Sequence, residues 1–586
     1  MGLGQFINDA WPWSLRRFSV QGGSEEGAVL SSPLDEKNAG PDYIESGKDS
    51  PMALDTHEPK PSETSTSTDS DKALDFEKAE THDDDENASV SELPQGRQLG
   101  IISAIFLMVN RILGTGVFST TSTIYQQSGS VGMSIIYWAI GGVIAGMGFA
   151  VYAEFAAAMQ RNGGELNYLQ YTYRKPKYLI ASLYASQAFL LGQAAGNANT
   201  AGQYFIRAGG GETKEWNSKG IGVAILAAAL FMHSVIPKWG LIFQNVLGAF
   251  KVVILLVIVI AGFVALGGHT KAPRPHNFSN AFEGTRNGIY PVAQCIYTAV
   301  WSYVGYSNLF YALGEVRNPV RTLKIAGAVS LITLTVLYVL SQVAYFAAVS
   351  KNDALQSTQI IAAKFFENMF GERATKALST FVALSAVANV FSVLFSQGRL
   401  NQALGRDGLL PFSKFFASNK PFKTPLAGLA WHTIVTLILM LAPPQGDAYV
   451  FVLSLAQYPL NLVNSAVGLG LCMLYLPDNS RIKPDCFKNW SSPFKATLPI
   501  ALFFTLVSMF LVVVPWIGPD KQSVSQYKDM WYGMAPAVGL GICGAGGVYW
   551  VGWYVLAPWI GRYRLQPERM TLKDGTVITH FARIPK

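Results

Sequence analysis

The chain has 586 residues, of which half are hydrophobic and only 14% are charged. Soluble domains carry about a quarter charged residues, so a chain this long and this apolar is not expected to be a soluble protein. Residues 1–97 hold 8 basic and 21 acidic side chains, whereas the rest of the chain holds 37 basic and 17 acidic ones. Because the basic excess belongs to the apolar part, the net charge of +7 gives no indication of nucleic-acid binding.

The N-terminal segment, residues 1–97, is rich in Ser, Thr, Asp, Glu and Pro. Such a segment buries too little apolar surface to offset its chain entropy, which predicts a disordered acidic tail. Its lysines are candidate sites for modification by the ubiquitination machinery, and a merely solvated tail is the alternative. These lysines are Lys37, Lys48, Lys60, Lys72 and Lys78.

Twelve apolar spans follow the tail and predict an all-α polytopic membrane protein with twelve transmembrane helices. Their approximate limits are 99–126, 131–158, 177–208, 220–237, 240–266, 288–313, 322–349, 375–400, 425–442, 447–475, 495–516 and 533–558. Loops on the side of the tail carry more Lys and Arg than loops on the other side. The positive-inside rule therefore predicts that both termini, including a C-terminal tail at 559–586, lie in the cytoplasm.

The first span is interrupted near its middle by Gly114, Thr115 and Gly116. Each glycine in a helix costs about 1 kcal/mol relative to alanine and favours local unwinding. Unwound backbone at membrane depth is tolerated only where protein or water satisfies its polar groups, so a broken helix here indicates a ligand site. The helix that restarts after the break directs its positive end at the site, which suits a carboxylate. The alternative is that these glycines only let two helices pack closely.

A second interruption, at residues 300–308, falls five spans later in the sequence VWSYVGYSN. Paired interruptions in corresponding halves are typical of a transporter's binding site. Five spans are an odd number, so residues 98–268 and 269–475 are predicted to be inverted five-helix repeats, with helices one and six broken. Helices eleven and twelve, at 476–558, are appended.

Several motifs between residues 99 and 475 resemble the L-type amino acid transporter-like branch of the amino acid/polyamine/organocation superfamily. They are GTGVF at 114–118, YAEF at 152–155, GGE at 163–165, EVRNP at 315–319, RLN at 399–401 and GRDGLLP at 405–411. Within that branch the chain is most similar to fungal high-affinity methionine permeases, on the motifs GSVG at 129–132, YASQA at 184–188, WSY at 301–303 and GYSN at 305–308.

The resemblance implies a LeuT-like fold and a plasma-membrane permease that imports methionine, and also cysteine and related small neutral amino acids, by proton symport with alternating access. Amides near Thr115 and Gly116 are expected to hold the substrate carboxylate, and carbonyls near Ile112, Trp301 and Val304 its ammonium. Trp301 is the expected aromatic gate, with an ordinary packing aromatic as the alternative, and the bulk of Val304 favours a small side-chain pocket. The implied substrate-binding residues are Ile112, Gly114, Thr115, Gly116, Trp301, Ser302, Val304 and Gly305.

Lys251 lies near the middle of the fifth span, among apolar residues. An ammonium there costs roughly 3 kcal/mol or more unless it faces protein or water. The resemblance implies that the positive charge of Lys251 takes the place of a sodium ion beside the broken first helix. We expect Lys251 to couple proton movement to uptake; a permanently charged lysine that bridges carbonyls is the alternative.

Four further polar residues in the spans are candidates for gating or for lining the cavity. Glu154 is expected to be a gate or helix anchor, or else a plain surface carboxylate. Gln193 and Asn197 are four apart and predicted to share one helical face. Asn389 interrupts the eighth span within reach of the pocket.

Other function classes find less support in the sequence. No phosphate loop, metal-ligand spacing or Ser-His-Asp arrangement is recognisable, so neither an enzyme nor a cofactor is expected. A channel would repeat a pore segment rather than invert five spans. A nutrient sensor with little transport and a broad neutral amino acid exchanger remain alternatives. The partner-dependent exchangers of this branch pair through a cysteine in an outside loop, and no such cysteine is present, so no obligate partner subunit is expected.

Overall fold

A computed structural model describes residues 99–356, 361–443, 451, 454–478, 480, 483, 487, 488, 490–519 and 530–586. The acidic segment, with the predicted modification sites Lys37, Lys48, Lys60, Lys72 and Lys78, lies outside the described residues.

Helices make up most of the described chain. In chain order they are α1 (Ile101–Ile112), α2 (Gly116–Ser119), α3 (Thr121–Ser128), α4 (Val131–Ala158), α5 (Glu165–Thr172), α6 (Leu179–Leu190), α7 (Ala195–Ala208), α8 (Glu215–Val235), α9 (Pro237–Leu266), α10 (Ile289–Ser302), α11 (Pro319–Ala348), α12 (Lys351–Gln356), α13 (Ile361–Phe370), α14 (Arg373–Arg406), α15 (Ser413–Ala417), α16 (Leu426–Leu441), α17 (Gln457–Leu474), α18 (Leu498–Val513), α19 (Met534–Trp550) and α20 (Ala557–Ile560). A 3₁₀ helix, Asn308–Glu315, follows α10, a second one, Val514–Trp516, follows α18, and a π-helical stretch, Val551–Leu556, joins α19 to α20.

Eight helical stretches in the described residues are long and apolar enough to cross a bilayer. They are Ile101–Ser119, Val131–Ala158, Glu215–Val235, Pro237–Leu266, Pro319–Ala348, Arg373–Arg406, Leu498–Trp516 and Met534–Ile560. Many large apolar side chains on them are exposed, for example Ile260 and Val548. Exposed apolar faces on such long helices are suited to lipid rather than water. The chain is therefore a mostly helical membrane protein.

The helix α14 is the most enclosed of these stretches, and it packs against α1, α7, α9 and α16. It carries buried polar side chains, including Ser385, Asn389 and Ser392, in its middle. In a membrane protein such groups need partners inside the bundle. The packing of α14 beside α1 places them against the first broken helix.

The third predicted span, 177–208, is two helices rather than one. It breaks between α6 and α7 at residues 191–194. A Cβ at Gly192 would lie 2.6 Å from the Thr436 Cα of α16, so glycine is required for this close approach. The prediction that Gln193 and Asn197 share one helical face is therefore wrong, because Gln193 lies in the break.

The C-terminal segment corrects the all-α prediction. Strands β1 (Tyr563–Thr571) and β2 (Val577–Pro585) form an antiparallel hairpin in which Thr571 pairs with Val577. The sequence Asp574-Gly575 supplies the turn, where Gly575 has a φ of 80°. The hairpin docks on the loop after α15, where an Asp574 Oδ2 accepts hydrogen bonds from the Asn419 backbone N–H (2.8 Å) and the Ser418 hydroxyl (3.1 Å).

The helix α10 and the 3₁₀ helix Asn308–Glu315 together form the sixth predicted span and are called the sixth helix below. Backbone hydrogen bonds join the start of α1 to the end of this sixth helix. Leu99 N–H donates to Glu315 O (3.0 Å), and Arg317 N–H donates to Leu99 O (2.9 Å). These two bonds make an isolated parallel bridge between Leu99 and Val316. The two broken helices therefore meet at one end of the bundle as well as at their breaks.

Candidate functional site

The first break lies where the sequence predicts it. The helix α1 ends at Ile112, residues 113–115 are not helical, and α2 starts at Gly116. In the described part of the chain, the backbone N–H groups of Thr115, Gly116 and Val117 have no hydrogen-bond acceptor. Free N–H groups at the start of a helix bind anions well. This arrangement suits the carboxylate of an amino acid.

The second break is also present, and it faces the first. The helix α10 ends at Ser302, and the chain turns through Gly305, whose φ of 130° strongly favours glycine, before the 3₁₀ helix begins. The Ser302 and Thr120 hydroxyls are 3.0 Å apart. A Cβ at Gly116 would lie only 3.1 Å from Ser302 Oγ. Glycine thus lets the two breaks approach each other.

Trp301 and Val304 flank the second break and are both half-buried. Trp301 is the penultimate residue of α10, and its carbonyl accepts from Val304 N–H (3.1 Å). The turn therefore uses one of the carbonyls expected to hold the ammonium.

Several carbonyls freed by the first break are bound by side chains from two other helices, α9 and α14. Lys251 Nζ on α9 donates to Leu113 O (2.5 Å) and to Asn110 O (3.1 Å). On α14, the Ser385 hydroxyl donates to Gly114 O (2.9 Å) and Asn389 Nδ2 to Arg111 O (2.7 Å). These contacts satisfy backbone groups that lipid could not.

The carbonyl of Ile112 has two donors of its own. Tyr338 on α11 donates its hydroxyl at 3.0 Å, and Gly114 donates its N–H at 2.9 Å. A carbonyl oxygen has two lone pairs, so both are engaged. In this arrangement, an ammonium would find its acceptors more readily on the sixth helix.

A polar network runs from the first break to the third and eighth spans. The Arg111 guanidinium donates to Gln193 Oε1 (2.9 Å) and to Asn389 Oδ1 (3.3 Å). Asn197 Nδ2 also donates to Asn389 Oδ1 (3.0 Å), and the Thr115 hydroxyl lies 3.5 Å from Asn197 Oδ1. The structure therefore brings together the predicted residues Gln193, Asn197 and Asn389. Arg111 joins them, and the sequence singles it out only as a charged residue within an apolar span.

Glu154 is buried near the end of α4 and is held by donors from a later part of the chain. Its carboxylate accepts from the Ala496 backbone N–H (2.7 Å), the Tyr475 hydroxyl (2.8 Å) and the Trp490 indole N–H (3.3 Å). These partners attach α4 to the segment that precedes α18. The contacts favour an anchoring role over a surface carboxylate.

Glu165, at the start of α5, was not among the predicted site residues, although it belongs to the GGE motif. It is fully buried and accepts from the Tyr311 hydroxyl (2.9 Å) and the Tyr184 hydroxyl (3.2 Å). Tyr311 lies on the 3₁₀ helix that follows the second break. The neighbouring Gly164 makes this close packing possible, since a Cβ there would lie 2.8 Å from the Tyr311 ring.

A cavity of about 840 Å³ lies elsewhere, between the end of α7, the short helices α12 and α13, and the start of α14. Its lining is charged, with Arg207, Glu212, Asp353, Lys364 and Glu367 among its residues. It shares no lining residue with the two breaks. Its polar walls suit an aqueous vestibule rather than the site itself.

The family is decided by a comparison with known sequences. A family model described as amino acid permease matches residues 99–542, more than half of the chain. The chain belongs to the amino acid permease family. The permease is accordingly a transporter and not an enzyme.

Individual relatives cover most of the permease. It is 46% identical over 497 residues to the high-affinity methionine permease of Saccharomyces cerevisiae, covering 84% of this chain and 86% of that protein. It is 26% identical over 510 residues to the low-affinity methionine permease of the same yeast, covering 85% and 90%. The human b(0,+)-type amino acid transporter 1 is 28% identical over 446 residues, covering 74% and 86%.

Proposed function

We propose that this permease imports methionine, and with it cysteine and related small neutral amino acids, across the plasma membrane by proton symport. The observation that carries the proposal is the pair of facing breaks, which offer free N–H groups on one side and turn carbonyls on the other. A zwitterion needs donors and acceptors a few ångströms apart, and backbone supplies both here. The 46% identity to a methionine permease supports the choice of substrate.

The carboxylate is proposed to bind the N–H groups at Thr115 and Gly116, with Gly114 giving the chain room to turn. The ammonium is proposed to bind carbonyls of the sixth-helix turn around Ser302, Val304 and Gly305. Both acceptor sites of Ile112 O are already used by protein donors, so Ile112 contributes mainly to the shape of the break. Trp301 is proposed to close over the substrate, and Val304 to limit the side-chain pocket.

The proposed architecture is twelve transmembrane helices with a LeuT-like inverted repeat. Residues 98–268 and 269–475 form the repeats, 476–558 form the last two helices, and both termini lie in the cytoplasm. The bridge between Leu99 and Val316 supports this arrangement, because it joins the start of the first helix to the end of the sixth. Helices related by inversion are expected to meet in this opposed sense.

Proton coupling is proposed to involve Lys251. Its ammonium donates to two carbonyls of the first break, so loss of a proton would remove the positive charge and weaken both hydrogen bonds. The break would then relax, and the site on it would change. The same contacts are compatible with a permanently charged lysine, so variants of Lys251 must be compared at several pH values.

The test is uptake of radiolabelled methionine by the full chain in proteoliposomes, with and without an inward proton gradient. We expect concentrative uptake that increases when the proton gradient is present. Unlabelled cysteine should compete with methionine for uptake, whereas lysine and glutamate should not. Uptake that requires internal amino acid would instead identify a broad exchanger. Saturable binding without uptake would identify a sensor. Either result would replace the proposal.

A further inference from the structure

The carboxyl group of Glu165 is enclosed without a cation. None of the ion pairs in the described residues includes it, and the hydrogen-bond donors to its carboxyl group, among them the Tyr311 and Tyr184 hydroxyls, are neutral. Burying an ionised carboxylate with only neutral donors is unfavourable, and a buried carboxyl group responds by taking up a proton. Glu165 is therefore a proton-binding group built into the bundle.

Two other enclosed carboxylates differ from Glu165 in their surroundings. Glu315 is paired with Arg399 through two hydrogen bonds of 2.7 and 3.2 Å, so its charge is compensated. Glu154 is held by a backbone N–H and two side chains of a segment remote from both breaks. Glu315 is itself the last residue of the 3₁₀ helix beyond the second break, so Glu165 is the one of the three that contacts this helix from another element.

A line of hydroxyl groups joins Glu165 to that break. Ser307 lies in the turn, and its hydroxyl is 3.5 Å from the Tyr311 hydroxyl, which in turn donates to Glu165 Oε1 at 2.9 Å. Asn162 strengthens the same contact, since its Oδ1 accepts from Gly314 N–H at 2.7 Å. Residues 162–165 thus lie against the part of the sixth helix that must move if the site is to open toward them.

We propose that Glu165 delivers the co-transported proton to the cytoplasm. The carboxyl group holds the proton while Tyr311 and Tyr184 enclose it. When the sixth-helix segment withdraws, water reaches Glu165 and the proton leaves to that water. In the next cycle the carboxylate takes a proton from the Tyr311 hydroxyl, which regains one through Ser307 from water at the site. This inference rests on the proposed function, because it presupposes proton-coupled uptake.

The electrostatic surroundings agree with this role. Glu165 lies in a short helix outside the candidate spans, and burial raises its pKa to about 7, although its own backbone N–H and the hydroxyls of Tyr311, Tyr184 and Ser307 lower it in part. The titratable groups that interact with it are tyrosines of α4, α5, α6 and the sixth helix. They are Tyr152, Tyr168, Tyr184, Tyr306 and Tyr311. Arg111 acts on Tyr311 from the side of the first break.

The experiment uses the full chain in proteoliposomes that contain a pH-sensitive dye and are given radiolabelled methionine outside. Wild-type protein should acidify the interior as methionine enters. Glu165→Gln, which cannot release a proton, should lose this acidification and the pH dependence of uptake, yet keep methionine counterflow, which needs no proton release. Glu568→Gln, an exposed carboxylate of β1 outside the proposed site, is the control and should acidify as wild type does.

A second pair of variants tests the same group without removing it. Tyr184→Phe removes a donor to the ionised carboxylate and leaves the Tyr311 relay in place, so the midpoint of the pH dependence should move to higher pH by about half a unit or more. Tyr475→Phe removes a donor from Glu154 in the same way and should leave the midpoint unchanged. These variants decide the matter if Glu165→Gln does not fold.

Each result has a distinct meaning. If wild type does not acidify the vesicles, proton symport is wrong and the role of Glu165 falls with it. If wild type and Glu165→Gln both acidify them, symport stands and the role of Glu165 is overturned. An unshifted midpoint in Tyr184→Phe also overturns it.

Discussion

Lys251 Nζ lies 2.5 Å from the carbonyl oxygen of Leu113, so an ammonium on the fifth span binds the backbone that the first span releases. The lysine is buried, and its second acceptor is the Asn110 carbonyl at 3.1 Å. A buried charge is tolerated in a membrane protein where backbone dipoles bind it. The break and the lysine therefore stabilise each other.

Replacing Lys251 should reduce transport strongly. A hydrogen bond to a charged group contributes about 1.5–3 kcal/mol, so Lys251→Ala and Lys251→Gln should lower methionine uptake about tenfold or more. Uptake is measured between pH 5 and 8, normalised to surface protein. If Lys251 takes part in coupling, the residual uptake loses its pH dependence. Normal uptake with unchanged pH dependence would exclude that role.

Gly305 should not tolerate a side chain. A Cβ there would lie 2.3 Å from Arg111 Cγ, and the φ of 130° is unfavourable for alanine by about 1–3 kcal/mol. Gly305→Ala should therefore displace Arg111 from Gln193 and abolish methionine uptake. Gly146→Ala is the control, since nothing lies within 4 Å of its Cβ position, and its uptake should equal that of wild type. Normal uptake by Gly305→Ala would contradict the close approach.

Removing one partner of the ion pair between Arg399 and Glu315 should lower the stability of the protein. Arg399→Met leaves the Glu315 carboxylate enclosed without its cation, which typically costs about 3–5 kcal/mol. We expect a lower melting temperature of the purified protein in detergent. Adding Glu315→Leu to that variant should recover part of the loss, because no unpaired charge is left. A double variant less stable than the single one would argue against this account.

Asp574 should keep the C-terminal hairpin docked at neutral pH. Partial burial raises its pKa, but hydrogen bonds from the Asn419 and Thr576 backbone N–H groups and from nearby hydroxyls outweigh this and lower it overall. A lowered pKa means that the contribution to stability is fully present above the ordinary value of about 3.9 and is lost as the pH falls through the lowered one.

Asp574→Asn removes this contribution at neutral pH as well. Residues 563–585 should then exchange their amide hydrogens faster at pH 7, whereas the rest of the chain should not change. Glu568→Gln, an exposed residue of β1, serves as the control. Equal exchange in the two variants would mean that Asp574 does not hold the hairpin.

Both breaks of the fold could be predicted from sequence because their cause is local. Glycines beside polar residues in an apolar run indicate unwinding whatever the partners are, and the observed breaks begin after Ile112 and Ser302. The break before α7 could not be found in the same way. Its glycine, Gly192, is explained only by contact with Thr436, which is distant in sequence.

The partners within the site show the same division. Their positions in the middle of apolar spans are enough to single out Lys251 and Asn389, because polar groups at membrane depth are costly and are usually functional. Sequence does not reveal which atoms they bind, nor that Tyr338 already binds the Ile112 carbonyl. Glu165 was overlooked because its enclosure by Tyr184 and Tyr311 depends on three separate elements meeting. The hairpin does have a local sequence signal, because Asp574-Gly575 is a typical hairpin turn between two segments that can form strands. The prediction of an irregular C-terminal tail does not take this signal into account.

The two backbone hydrogen bonds that link Leu99 with Glu315 and Arg317 have a mechanical consequence. The outermost turns of the first and sixth helices at that end cannot swing apart independently while these bonds last. A gate at this end must therefore either move the start of the first helix and the end of the sixth as one rigid unit or break the two hydrogen bonds first. A covalent cross-link between these two segments would distinguish the two cases. Transport would continue if they move as one unit and would stop if the hydrogen bonds must break.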